Sequence, residues 1–299
     1  MANAQRNRSR RNDARSRGPR YIAPVLDPTW ENPYAPSRAE RDGHLNAVIA
    51  FTRRKRLPFL IVESAVAVLA AIAAVTITPF VWIVAVAAIA VGVWDFQRAS
   101  KAPAAVASLG SRMLAAFEPG GSPTDRMRLV TVLDRLAATF GVTDVSAFII
   151  RDPGYNAALA PNGATASLYV TSAIMQDFEL IELEGVVAHL LARHRMGVLQ
   201  RTAAASVLPL SDVERRDLAG VGVAYRADEV AAAGIRYPLG LASALRKCVR
   251  QVVPRESFFA SSTYNEWRYV FFDVRRDATT NDLSNLDDVE LRAMALEEW

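Results

Sequence analysis

Between Phe59 and Phe96 the chain is almost wholly apolar, with one charge inside it at Glu63 and a second at its end, Asp95. No other stretch restricts the fold as strongly. One straight helix of that length would reach about 55 Å, well beyond the ~30 Å hydrocarbon core of a bilayer. Thr76-Ile77-Thr78-Pro79 supplies a break, because proline disfavours helix at the residue before it. The expectation is a transmembrane hairpin of two helices, about 59–78 and 79–96. Trp82 and Trp94 stand near the ends of the second helix, as interfacial aromatics do. Arg53-Arg54-Lys55-Arg56 precedes the first helix, and Arg98 and Lys101 follow the second. Basic flanks on both sides place both termini in the cytoplasm, with the chain integral to the cytoplasmic membrane. Glu63 lies one turn inside the membrane edge, where a carboxylate snorkels back to the interface. The alternative is a buried hairpin inside a large soluble core.

Charge divides the 299-residue chain unevenly. Residues 1–57 hold 13 Lys/Arg against 5 Asp/Glu, a surplus of +8, so a total of +4 leaves −4 for the rest. The first part carries Arg6, Arg8, Arg10, Arg11, Arg15, Arg17 and Arg20 among Asn, Ser, Ala and Gly, and shows no apolar period. It reads as a disordered tail suited to anionic lipid or, less readily, nucleic acid. It is not a secretory signal, since the first long apolar run begins near residue 59. A lone cysteine, Cys248, excludes an internal disulfide and favours a reducing compartment. Three histidines, His44, His189 and His194, leave little material for a histidine-rich metal site.

Residues beyond 101 are those able to carry chemistry, and their pattern is α+β. Pro123 to Phe140 repeats Met127, Leu129, Val130, Val132, Leu133 and Leu136 at helical spacing, and Gly141 ends the run. Val145 to Ile150 reads as a short buried strand. Asn156 to Ala160 and Ala166 to Thr171 flank Pro161-Asn162-Gly163, an Asn-Gly hairpin signal. A helix over about 178–196 has an apolar stripe of Leu180, Leu183, Val186, Val187, Leu190 and Leu191, with His194 in it. His189 lies roughly 140° from His194 around that helix, so an intact helix cannot offer both to one metal. Arg193 stands one turn beyond His189, where its charge opposes a cation. A further helix begins at Ala227-Asp228-Glu229 and continues through Leu239, Leu241, Ala244 and Leu245 to Cys248. The end, Ser284 to Trp299, is acidic and helix-prone, with Val289, Leu291, Met294 and Leu296 as its apolar positions. No glycine-rich phosphate loop, CxxC pair or nucleophile elbow occurs.

Several of these segments, across roughly residues 50–265, resemble the HtpX-type membrane-bound zinc metalloendopeptidases. The resemblance rests on the apolar hairpin, Asn156-Ala157-Ala158-Leu159-Ala160, and Val170-Thr171-Ser172-Ala173-Ile174-Met175. It continues through Glu182-Leu183-Glu184-Gly185-Val186-Val187-Ala188-His189, Tyr225-Arg226-Ala227-Asp228 and Leu241-Ala242-Ser243-Ala244-Leu245. In that family H-E-x-x-H binds zinc through its two histidines, and its glutamate is the general base. The third ligand is a glutamate before an Ala-Asp pair on the next helix.

Here His189 matches the first histidine, Leu190 replaces the general base, Arg193 the second histidine and Ala224 the third ligand. Asp228 keeps a supporting position. The resemblance therefore implies a mostly helical zincin-like domain with a small β-sheet over 102–265, between a hairpin at 58–97 and an acidic extension at 266–299. It implies a peptidase frame without hydrolysis and without a resident cofactor. Such a chain would act as a protein- or peptide-binding or regulatory module in membrane-protein quality control, taking peptides along the edge strand at Asn156, Ala157, Ala158 and Leu159. One alternative is an active zinc endopeptidase using His189, His194 and Asp228 or Glu229. Another is a membrane tether that recruits anionic lipid or nucleic acid through its tail. Oligomeric state stays open.

Overall fold

The computed structural model describes residues 101–208, 210–220, 222–273 and 289–299, with scattered helical residues between 57 and 91. Among the described residues no helix is long and apolar enough to cross a membrane. This overturns the expected transmembrane hairpin, and with it the location in the cytoplasmic membrane. A span needs about 20 residues of continuous apolar helix. The longest continuous described run in that stretch, 64–69, is far shorter. The longest helix among the described residues, 123–140, carries five charged residues. Glu63, the break at 76–79, Trp82, Trp94, Arg98 and the Arg-rich segment through Arg56 lie outside the described residues.

The described residues build a mostly helical fold around a three-stranded sheet. Helices α1 (Ala102–Ala107) and α2 (Leu109–Ala116) come first, α2 burying Leu109 and Met113 one turn apart. Helix α3 (Pro123–Phe140) starts at a capping box, in which the Ser122 hydroxyl accepts from the Asp125 amide and the Asp125 carboxylate accepts from the Ser122 amide. It ends at Gly141, whose φ of +60° suits a residue without a Cβ. Its buried stripe is Leu129, Val132, Leu133, Leu136 and Phe140. Met127 and Val130, expected on that stripe, are 72% and 39% exposed.

Strands β1 (Val145–Ile150), β2 (Ala157–Asn162) and β3 (Thr165–Thr171) form a sheet in the order β1-β3-β2, β3 lying parallel to β1 and antiparallel to β2. The hairpin is tight, with Asn162 opposite Thr165 and Gly163 at φ +65° in the two-residue loop. Alternate residues serve different cores. Ala157, Leu159, Leu168 and Val170 face the larger one. Ala158, Ala160 and Tyr169 face a smaller one with Leu109, Met113, Phe259, Tyr264, Trp267 and Phe271.

Helix α4 (Ser172–Asp177) follows the sheet, capped by the Thr171 hydroxyl on the Ile174 amide, and leads into α5 (Leu180–Arg195). From Glu182 to Arg193 every residue of α5 except Glu184 is buried. The single stripe expected for this helix is thus widened to nearly its whole circumference, because α3, β2 and two later helices wall it in. Those follow α6 (Leu199–Val207) and α7 (Asp212–Ala219); they are α8 (Val223–Gly234) and α9 (Pro238–Arg250). The sequence suggested one continuous helix to Cys248. The chain instead turns extended at Ile235 and restarts with Pro238 in the first turn of α9.

Two glycines let α9 cross α5 closely. A Cβ on Gly185 would lie 2.6 Å from the Leu241 Cα, and one on Gly240 would lie 2.5 Å from the Ile181 carbonyl oxygen.

After α10 (Ser262–Trp267) the residues Phe271–Asp273 run beside β2, and α11 (Val289–Glu297) closes the described chain against α9 and α8. Beyond residue 265, Trp267, Phe271, Phe272, Ala293 and Leu296 are core residues. The seat of α11 is small. It buries Arg292, Ala293 and Leu296, and fully burying a leucine is worth about 2 kcal/mol.

Candidate functional site

Helices α5 and α8 lie side by side and bring His189 against Asp228, Nδ1 to Oδ1 at 2.6 Å. A carboxylate only accepts, so the imidazole carries its proton on Nδ1 and donates it. Arg292 reaches in from α11 to the same carboxylate, Nε donating to Oδ2 at 2.5 Å and Nη2 to Oδ1 at 3.0 Å. His189, Asp228 and Arg292 are each no more than 3% exposed, and the Phe272 ring stands edge-on to the imidazole at 5.2 Å.

Burial pushes the His189 pKa down to about 4 even though Asp228 pulls the other way, so the ring is neutral near pH 7. Burial would raise Asp228, but Arg292 and then His189 outweigh it and hold the carboxyl below its ordinary value. The result is a buried, closed cluster of a neutral imidazole, a carboxylate and a guanidinium.

The other positions singled out by the sequence fall as follows. Leu190 is fully buried core, where it offers no base. Arg193 turns away from the cluster and ties down the chain after α10, donating from Nη1 to the Phe271 carbonyl at 2.9 Å and from Nη2 to that of Tyr269. His194 is half-buried near the C-terminal end of α5, its pKa lowered by that burial. Helix α5 is continuous from Leu180 to Arg195, so His194 keeps its roughly 140° offset and does not join His189. Ala224 and Glu229 are partly buried on α8.

Among the described residues no three His, Cys, Asp or Glu side chains stand together as a metal would require. The donors at the centre do not fit zinc either. His189 and Asp228 are two groups, already bonded to each other and neutralised by an arginine, against the three or four ligands zinc takes.

The expected peptide-binding edge is occupied by the chain itself. The Phe272 amide donates to the Ala157 carbonyl at 2.7 Å, and Ala158 bridges to Phe271 in antiparallel sense. Asn156 extends the pairing with its side chain, Nδ2 donating to the Asp273 carbonyl at 2.9 Å and Oδ1 accepting from the Asp273 amide at 3.0 Å. Asn156, Ala157, Ala158 and Leu159 are all at most 2% exposed, so no incoming strand reaches them.

Sequence reasoning missed Arg292, 64 residues beyond Asp228 and on a helix with no recognisable motif. The only signal for it was a cation need at a buried aspartate. A second missed feature is an open groove of about 490 Å³ along α9 at the end of α11, lined by Leu239, Ser243, Arg246, Lys247, Arg250 and Glu297. Two of its basic groups, Arg246 and Lys247, are held by acids. Arg246 donates to Glu290, Nη2 to Oε1 at 3.0 Å, and to both carboxylate oxygens of Glu297. Lys247 donates to Glu182 at 2.7 Å and lies 5.2 Å from the centre of the Phe178 ring. Burial alone would raise the Glu182 carboxyl, yet Lys247 and Ser243 hold it below its ordinary value.

Comparison with protein families, curated proteins and solved structures finds no match for this chain. The expected kinship with zinc peptidases thus gains no support from relatives.

Proposed function

We propose that this chain is a non-catalytic protein-binding module. The observation that carries the reading is the closure of the His189–Asp228 pair by Arg292. A hydrolytic centre needs an open coordination position or an activated water beside a base. Here the buried histidine–carboxylate pair found among the described residues is closed by a guanidinium, and the residue after His189 is a leucine in the core. Binding is supported at the surface around α9, where the groove lies near exposed apolar side chains. Leu239 and Val249 belong to α9, and Val252, 88% exposed, follows it.

The test is incubation of the purified chain with an unfolded protein substrate, with zinc and with a chelator. The expected result is no chelator-sensitive cleavage. Cleavage that a chelator stops and that His189→Ala abolishes would overturn the reading.

A further inference from the structure

We propose that the open groove along α9 takes an extended acidic segment of a partner protein, seated with a carboxylate on Arg250 and Lys247 and an apolar side chain on Leu239. This names the partner of the binding surface above and rests on that reading. Shape decides the conformation of the occupant. Leu239, Ser243, Arg246, Lys247 and Arg250 follow one face of α9, and the first and last lie about 16 Å apart along its axis. A volume of about 490 Å³ over that length leaves a cross-section of about 30 Å². An extended chain, by strand and sheet spacings, needs about 48 Å² and half-sinks into such a groove. A helix about 10 Å across needs about 80 Å² and does not enter.

Charge decides where each end of the segment lies. Arg246, in the middle, is answered by two carboxylates, Glu290 and Glu297, so that part of the groove carries a surplus of negative charge. Lys247 is matched by Glu182. Arg250 is exposed, and among the described residues no carboxylate pairs with it. Its planar fork is open to both oxygens of an incoming carboxylate. Lys247, one turn away, spends two of its three N–H groups, on Glu182 at 2.7 Å and on the Asp177 carbonyl at 3.2 Å. The third is left for the same ligand. A carboxylate placed in the middle would meet Glu297 instead, so the acidic residue belongs at the Arg250 end.

The opposite end is apolar. Leu239 is 41% exposed, and Ile181, 37% exposed, backs onto the neighbouring Gly240. An apolar side chain laid there takes both out of water. About five extended residues cover the ~16 Å between the two ends. The recognised pattern is therefore an apolar residue and a carboxylate five positions apart, with small or polar residues between them.

The experiment measures binding to the full chain by fluorescence anisotropy at low salt. The probes are two end-blocked peptides with a neutral fluorophore, Leu-Ser-Gly-Ser-Ser-Glu and the same residues in reverse order. Submillimolar binding of one of them is expected. Exchanging its glutamate for glutamine, or Arg250→Gln in the chain, should each weaken binding by about fivefold, and the two together no more than either alone. Leu239→Ser should weaken it by about threefold, whereas Val213→Ser, on α7, should leave it unchanged. All three positions are exposed, so the variants keep the fold. Binding that ignores the glutamine exchange but falls with Leu239→Ser would overturn the acidic partner and leave a peptide-binding groove standing. Displacement by inorganic phosphate, lost with Arg250→Gln but indifferent to Leu239→Ser, would mark a small-anion site and overturn the peptide. Failure of both peptides to bind at millimolar concentration would overturn this proposal and the binding reading with it. Chelator-sensitive cleavage would sink the non-catalytic reading alone, since it moves none of these affinities.

Discussion

At Asp228 a carboxylate excluded from water has two partners of different kinds, and they are not equivalent. Arg292 carries the compensating charge, whereas His189 is neutral near pH 7 and contributes a hydrogen bond. Arg292→Ala should therefore cost about 3–5 kcal/mol in urea unfolding, because it strands a buried charge. Asp228→Asn in the same chain should restore a large part of that loss, since no charge is then left behind. A second prediction follows from the histidine. Its folded pKa of about 4 lies below the ordinary 6.5, so between those values the unfolded chain binds the extra proton. Stability then rises with pH across that window and falls on acidification from about 6.5 towards 4, by on the order of 3 kcal/mol. Asp228, also lowered, adds a loss in the same direction at more acid pH as its folded-state pKa is approached. His194 shifts the same way, so the measurement compares wild type with His189→Asn. A flattened profile between pH 4 and 6.5 in the variant is the expected outcome.

Elements were legible where a local signal and the tertiary demand agreed. Ser122, Pro123 and Gly141 bound α3 as capping chemistry dictates, and Gly163 supplies the positive φ of the hairpin. The long reading over 227–248 failed because alanines and leucines hold helical phase on both sides of the gap. Gly234 and Pro238 were the residues that marked the break. On α11 the apolar positions Leu291 and Met294 stay exposed while Arg292 is buried. Hydrophobic period cannot reveal a buried arginine, since the demand for it comes from a different helix. The crossing of α5 and α9 was likewise invisible, although its glycines were in plain view. Gly185→Ala should lower stability by about 1–3 kcal/mol, because its methyl meets the Leu241 backbone and two packed helices must separate. Thermal unfolding of that variant measures the loss. A substitution of Gly163, which has nothing within 4 Å, meets only the backbone penalty of its positive φ.

For the whole molecule, the sheet is the partition between the two cores, and its β2 edge is sealed by the chain's own later residues. The sequence allowed β2 to be read as an edge open to a peptide, because the pairing segment lies over a hundred residues away and alternates no more clearly than a loop. Asn156 joins the two ends of that contact. Its amide satisfies both the amide and the carbonyl of Asp273, 117 residues on, while Tyr264 donates a second bond to the same carbonyl. Asn156→Ala removes three side-chain bonds in a fully buried setting, the two to Asp273 and the one that Oδ1 accepts from the Ala157 amide, while the Asp273 carbonyl keeps its Tyr264 partner. The expected cost is about 1–3 kcal/mol, the range for removing hydrogen-bond partners from buried groups. Hydrogen exchange locates the effect. Exchange at the Asp273 amide should quicken far more than at Val170, whose β3 position opposite Ala157 is held inside the sheet. Uniform quickening at both would mean that the strap and the sheet open as one unit. The edge would then belong to the global fold, with no local opening of its own.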